Sequence, residues 1–130
     1  MSESIYDEIG GEETLTRLVE AFYPRVVKHP DLAPLFAGSD IDEVMRKQKM
    51  FLTQFLGGPT LYSNEFGHPM MRYRHLPFEI TPRRAQAWLS CMRLAMDEAG
   101  LEGPVREFIF DRLTQVAHHM VNTAEKPDGE

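Results

Sequence analysis

GHPMMRYRHLPFEITPRRAQAWL, residues 67–89, contains both an irregular segment and the start of a long helix. The helix begins in its second half. Thr81 can cap, Pro82 falls at the first helical position where its missing N–H is harmless, and Ala85, Trp88 and Leu89 follow at helical spacing on what is expected to be the buried side. Carried on through Met92, Ala95, Met96 and Ala99 to Gly100, a natural stop, the pattern predicts a helix of about 18 residues, roughly 27 Å long. The first half is irregular. Residues 57–80 are so crowded with proline and glycine that only MMRYRH, Met70 to His75, reads as a short helix, closed by Leu76 and Pro77. A loop this long in a small chain is unusual, and such loops tend to carry function.

Upstream, Ser39 or Asp40 can cap a helix whose first turn holds Asp42 and Glu43, where the helix dipole favours acids, and which ends at Gly57-Gly58-Pro59. Its inner face runs Ile41, Val44, Met45, Gln48, Phe51, Leu52 and Phe55. Gln48 breaks the apolar stripe, and a buried amide needs a partner or costs roughly 1 to 3 kcal/mol. Earlier still, Leu15, Leu18, Val19 and Phe22 repeat with helical spacing, and Pro24 is expected to end that helix near Ala21 and open a second, short one at Phe22 or Tyr23. Between His29-Pro30 and Gly38, tight turns are expected to push Leu32, Leu35 and Phe36 inward. A last helix starts at Pro104 and presents Val105, Phe108, Ile109, Leu113, Val116, Ala117, Met120 and Val121. No segment alternates like a strand, and there is no repeat and no glycine-rich phosphate loop. The expectation is an all-α fold, four substantial helices around one core, in a single domain spanning residues 1–130.

Fourteen Lys and Arg against twenty Asp and Glu leave a formal net charge of -6, which disfavours a nucleic-acid surface. No apolar run approaches the roughly 20 residues of a membrane span, and the opening MSESIYDEIG lacks the basic and apolar pattern of a secretory leader, so a cytoplasmic protein without membrane contact is expected. The lone Cys91 excludes an internal disulfide and a multi-cysteine metal site. Basic residues cluster in Arg46 to Lys49, Arg72 to Arg74 and Arg83-Arg84; these are either solvated helix faces or the wall of an anion pocket.

Metal and catalytic patterns are otherwise sparse. H-E-x-x-H, C-x-x-C-H and a serine elbow are all missing, and adjacent His118 and His119 point in different directions on one helix. His29 and His68 both precede prolines and read as an exposed helix end and a turn. His75 differs in context: it follows Arg72-Tyr73-Arg74 and precedes the apolar Leu76-Pro77-Phe78. An imidazole at the edge of an apolar cavity suits iron, with the arginines available for carboxylates, although a satisfied structural histidine explains the same residues. Tyr23, Gln48 and Trp88 each bring a polar group to an otherwise apolar helix face, from three different helices.

In order along the chain, YDEIGG (Tyr6 to Gly11), FYPRV (Phe22 to Val26), PLF (Pro34 to Phe36), FLTQFLGGP (Phe51 to Pro59), YSNEFGHPMMRYRHLPFEI (Tyr62 to Ile80) and AWLSCM (Ala87 to Met92) resemble the group II truncated haemoglobins over nearly the whole length. The resemblance implies a shortened globin, a two-over-two helical sandwich around non-covalent haem b. Position by position it implies His75 as the proximal iron ligand, and Phe36 and Phe51 packing on the haem. Lys47 and Arg74 would serve the propionates, assisted by Tyr62. The distal side would consist of Tyr23, Gln48 and Trp88, with Val44 where larger globins place a distal histidine. Two departures stand out: Phe36 lacks the hydroxyl that some relatives place there, and Val44 is bulkier than the alanine of others.

The function so implied is reversible but tight binding of dioxygen, and of CO, NO or sulfide, stabilised by distal hydrogen bonds. Haem-dependent nitric oxide oxidation or peroxidase turnover is the enzymatic alternative, with a reductase as partner. A haem-free helical sensor, in which Tyr23, Gln48 and Trp88 simply bond to one another, is the contrasting class. Subunit state, monomer or homodimer, is left open.

Overall fold

The computed structural model describes residues 4–125, and all regular structure among them is helical. Eight helices follow in order: α1 (Ile5–Glu8), α2 (Gly11–Lys28), α3 (Ala33–Phe36), α4 (Ile41–Phe55), α5 (Leu61–Phe66), α6 (Met71–His75), α7 (Pro82–Ala99) and α8 (Gly103–Met120). The four long ones form two layers, α2 with α4 and α7 with α8, joined where α2 packs on α7. Leu15, Leu18, Phe22 and Val26 of α2, Leu52 of α4, Met92 and Met96 of α7, and Ile109 and Leu113 of α8 fill the space between them, each almost fully buried. No helix among the described residues is long and apolar enough to cross a membrane.

The helix ends follow local chemistry. Asp40 accepts the Glu43 N–H at 3.3 Å and opens α4. Thr81 does the same for α7, taking the Arg84 N–H at 3.2 Å with Pro82 behind it. At the far end of α7, Gly100 turns left-handed (φ 79°), and the N–H groups of Gly100 and Leu101 reach back to Asp97 and Met96, while the Leu101 side chain is buried. This paired closure satisfies carbonyls that the helix would otherwise leave open.

Four expectations need correction. First, α2 does not break at Pro24; it runs unbroken for 18 residues. Proline removes one backbone bond, but Leu15, Leu18, Val19, Phe22, Tyr23 and Val26 are buried on both sides of it, so packing holds the axis together. The Arg25 guanidinium also donates to the Ala21 carbonyl at 3.1 Å, next to the interruption. Second, the irregular segment contains a further helix, α5, that periodicity did not reveal. It has six residues and no side-chain cap, and is held from outside: the Gln54 amide accepts the Ser63 N–H at 2.9 Å and donates to its hydroxyl at 2.7 Å. Third, Phe108 stands 46 % exposed, because its face of α8 turns away from the core. Fourth, Trp88 is only half-buried, lying beside the open space described next.

The α4–α5 joint explains the double glycine. A Cβ on Gly58 would lie 2.8 Å from the Tyr6 ring and 2.9 Å from the Thr53 carbonyl, so only a hydrogen fits where α1 crosses this turn. Tyr6 is fixed there by its own N–H, which donates to Leu56 O at 2.9 Å.

Candidate functional site

Elements from α2 through α8 leave a cavity of about 520 Å³ between them. All ten residues singled out in the sequence line it: Tyr23 from α2, Phe36 from α3, Val44, Lys47, Gln48 and Phe51 from α4, Tyr62 from α5, Arg74 and His75 from α6, and Trp88 from α7. The volume is within the range of cofactor pockets, and the mix of many apolar side chains with a few placed polar groups is characteristic of them.

Two of the ten, Tyr23 and Gln48, form a polar pair in the cavity, with Trp88 near Phe22. Tyr23 is buried, and its hydroxyl donates to Gln48 Oε1 at a long 3.4 Å. With its oxygen so engaged, the Gln48 amide has its N–H groups to spare. The Tyr23 ring meets Phe22 edge-on at 5.0 Å and Phe36 at 6.1 Å, and Phe22 in turn meets Trp88 at 5.1 Å. Aromatic edges therefore fix the directions of both the phenol and the indole. Burial pushes the Tyr23 phenol well above its ordinary value of 10.0, which keeps it a proton donor at any physiological pH. Trp88 makes no hydrogen bond to Tyr23 or Gln48. The contrasting idea of three groups satisfying one another accounts for only two of them.

His75 sits at the end of α6, half-buried, with its Nδ1 2.7 Å from the Met71 carbonyl. A carbonyl only accepts, so Nδ1 carries the hydrogen and Nε2 keeps its lone pair as a ligand atom. Phe78 flanks the ring at 6.4 Å between centroids. Among the described residues no three His, Cys, Asp or Glu side chains gather to hold a bare ion. A single imidazole with its second nitrogen anchored is suited instead to a metal whose equatorial sites are filled by a macrocycle.

The cations at the rim differ in how far they are engaged. Lys47 lies over the Phe66 ring, its ammonium 5.2 Å from the centroid, and pairs with no carboxylate among the described residues. Arg74 covers the Tyr62 ring at 5.4 Å, but its Nε and Nη2 donate to the carbonyls of Pro69, Phe66 and His68 at 2.7, 2.8 and 3.1 Å. It therefore serves first to shape the turn before α6. Tyr62 and Phe51 meet edge-on at 5.9 Å, and Phe51 stacks on Phe55, so the floor beneath Arg74 is rigid.

Arg84 also faces the cavity and was not singled out as a site residue. It donates from Nε to Asp31 O at 3.0 Å and from Nη1 to Glu79 O at 2.6 Å, leaving Nη2 unspent. The available signal was its place in Arg83-Arg84, one turn before Trp88. Leu113, Val116, Ala117 and Met120 of α8, on the face expected to be core, also line the cavity, with Leu113 packed in the core at the same time.

The family model described as bacterial-like globin matches residues 4–122. A group 2 truncated hemoglobin of Bacillus subtilis is 61% identical over 123 residues, 95% of this chain and 92% of that protein. The crystal structure of the group II truncated hemoglobin from Bacillus anthracis superposes with a TM-score of 0.95 at 55% identity, covering 100% of this chain and 99% of the other. An X-ray structure of a truncated haemoglobin from Bacillus subtilis, described as oxygen-avid, gives 0.88 at 61% identity over 92% of this chain and 100% of that one. The two helix pairs described above are thus the expected two-over-two sandwich.

Proposed function

Since the chain belongs to the bacterial-like globins, and among them to the group II truncated haemoglobins, we propose that it holds non-covalent haem b through His75 and retains dioxygen tightly in a pocket bordered by Tyr23, Gln48 and Trp88. The observation carrying this reading is the convergence of those donors and a His75 with a free Nε2 on one largely apolar cavity. When bound, haem supplies a ferrous iron able to take a diatomic ligand.

The chain's own residues do the rest. The Met71 carbonyl orients the His75 imidazole and raises its basicity through Nδ1. Lys47 and the remaining N–H groups of Arg84 and Arg74 offer positive charge to carboxylates at the rim. Phe36, Phe51, Phe78 and Met120 exclude water from the interior, which strengthens every dipole within it. Tyr23, kept protonated by burial, and the indole of Trp88 donate toward a ligand that gathers negative charge; Gln48, anchored by Tyr23, adds its amide. Each such bond is worth roughly 1.5 to 3 kcal/mol, about a tenfold to hundredfold change in an equilibrium. Slow release follows, as befits a relative described as oxygen-avid.

The deciding experiment is hemin titration of the wild-type protein and of His75→Ala. The wild type is expected to keep an intense Soret band through gel filtration and to show a five-coordinate ferrous spectrum. Retention of that native spectrum in His75→Ala would refute the ligand assignment, and a colourless wild type would refute the whole reading.

A further inference from the structure

α6 carries the proposed haem ligand, yet little in its own sequence holds it in place. It has five residues, none buried, and it opens from Met70 in the left-handed region (φ 41°, ψ 51°), a conformation that costs a non-glycine residue energy. A single helical turn does not sustain itself in water. Its placement comes instead from polar contacts with the last turn of α8 and the chain just beyond it. Arg72 donates from Nε to His119 O at 3.1 Å and from Nη2 to Val121 O at 3.4 Å.

Asn122 is the centre of this junction. Its Nδ2 donates to His75 O at 3.2 Å and to Phe78 O at 3.0 Å, while its Oδ1 accepts the Ile80 N–H at 3.1 Å. Its backbone N–H returns to Ile80 O at 2.9 Å, and the Thr123 N–H joins it there at 3.2 Å. The orientation of the amide is not in doubt: two carbonyls demand a donor on one side and an N–H demands an acceptor on the other. His75 is therefore gripped at two points, its ring at Nδ1 by Met71 O and its main-chain carbonyl by Asn122.

We propose that Asn122 is a positioning residue for the proximal ligand, setting the height and tilt at which His75 presents Nε2. The proposal rests on the haem reading above, since without a metal the same clamp would only staple two segments together. A partner that orients a ligating histidine governs bond strength at the metal as well as fold stability.

The test uses the haem-loaded protein with Asn122→Ala, Asn122→Asp and, as a control, Thr123→Val, which removes only the hydroxyl bond to Asn122 Oδ1. Asn122→Asp keeps the acceptor for Ile80 but faces two carbonyls with an oxygen that has no hydrogen to give. Both Asn122 variants are expected to take up haem, to show the iron–imidazole stretching band of the ferrous form shifted to lower frequency and broadened, and to lose hemin to an acceptor globin about tenfold faster. Thr123→Val should match the wild type in both readouts. An unmoved stretching band and hemin-loss rate in the two Asn122 variants, whatever happens to the melting temperature, would overturn the proposal. If Asn122→Ala does not fold, Asn122→Ser, which keeps one donor, is judged by the same two measurements. A wild-type protein that binds no hemin would strike down the haem reading itself, a different result from either.

Discussion

On the proposed haem reading, single side chains decide how long a ligand stays. Trp88→Phe keeps an aromatic against Phe22 and removes the indole N–H, so dioxygen is expected to leave roughly tenfold to hundredfold faster, as read by stopped flow. An unchanged rate would mean that the indole does not donate to the ligand. Tyr23 sets a pH signature. Its phenol is held above its ordinary value of 10.0 by burial, so it stays neutral in the folded protein past that value, while the stability it contributes, fully present below that value, is lost as pH climbs toward the raised one. The dioxygen release rate of the wild type should accordingly stay flat up to about pH 10. A break at lower pH would place the phenol in water. These residues were legible because each was anomalous in its own helix: a phenol, an amide and an indole on apolar faces, and a histidine between arginines and Phe78. Arg84 was not legible, because an arginine in the first turn of a helix is ordinary until the fold brings Asp31 and Glu79 around it.

At the scale of elements, α4 and α7 were readable from end to end because caps, proline and glycine agreed with periodicity, whereas α2 and α5 depend on contacts from elsewhere. Pro24 reads locally as a stop; only the buried stripe on both sides of it overrides that signal. Pro24→Ala, on the exposed side of α2, should restore a backbone donor to the helix and raise the stability of the haem-loaded protein by roughly 1 kcal/mol in chemical denaturation, part of the gain being offset by a freer unfolded chain. A loss of stability would show instead that the fold needs the interruption. Gly58→Ala makes the opposite case. Its methyl would push into Tyr6 and Thr53 O, and a destabilisation of roughly 1 to 3 kcal/mol is expected from the same measurement. Stability equal to the wild type would mean that α1 moves away at no cost.

For the whole molecule, the two-layer core was foreseeable from apolar spacing, but the boundary between core and cavity was not. Val116 and Met120 have the same periodicity as Ile109, and periodicity does not distinguish a residue that packs on protein from one that lines a cavity. A ligand that binds only the folded state stabilises it by mass action, so removing haem should lower the melting temperature by many degrees, with amide exchange rising first in residues 70–80. Uniform exchange across the chain on haem removal would contradict the view that α6 depends on its surroundings for its placement. The tie between His75 and Asn122 spans 47 positions. On the ribosome, the segment bearing the proposed iron ligand emerges before Asn122, so a nascent chain lacks this tie until that residue has been made. If the proposed haem reading holds, an appendage grafted beside residue 122 is expected to be felt at the buried centre rather than only at the periphery.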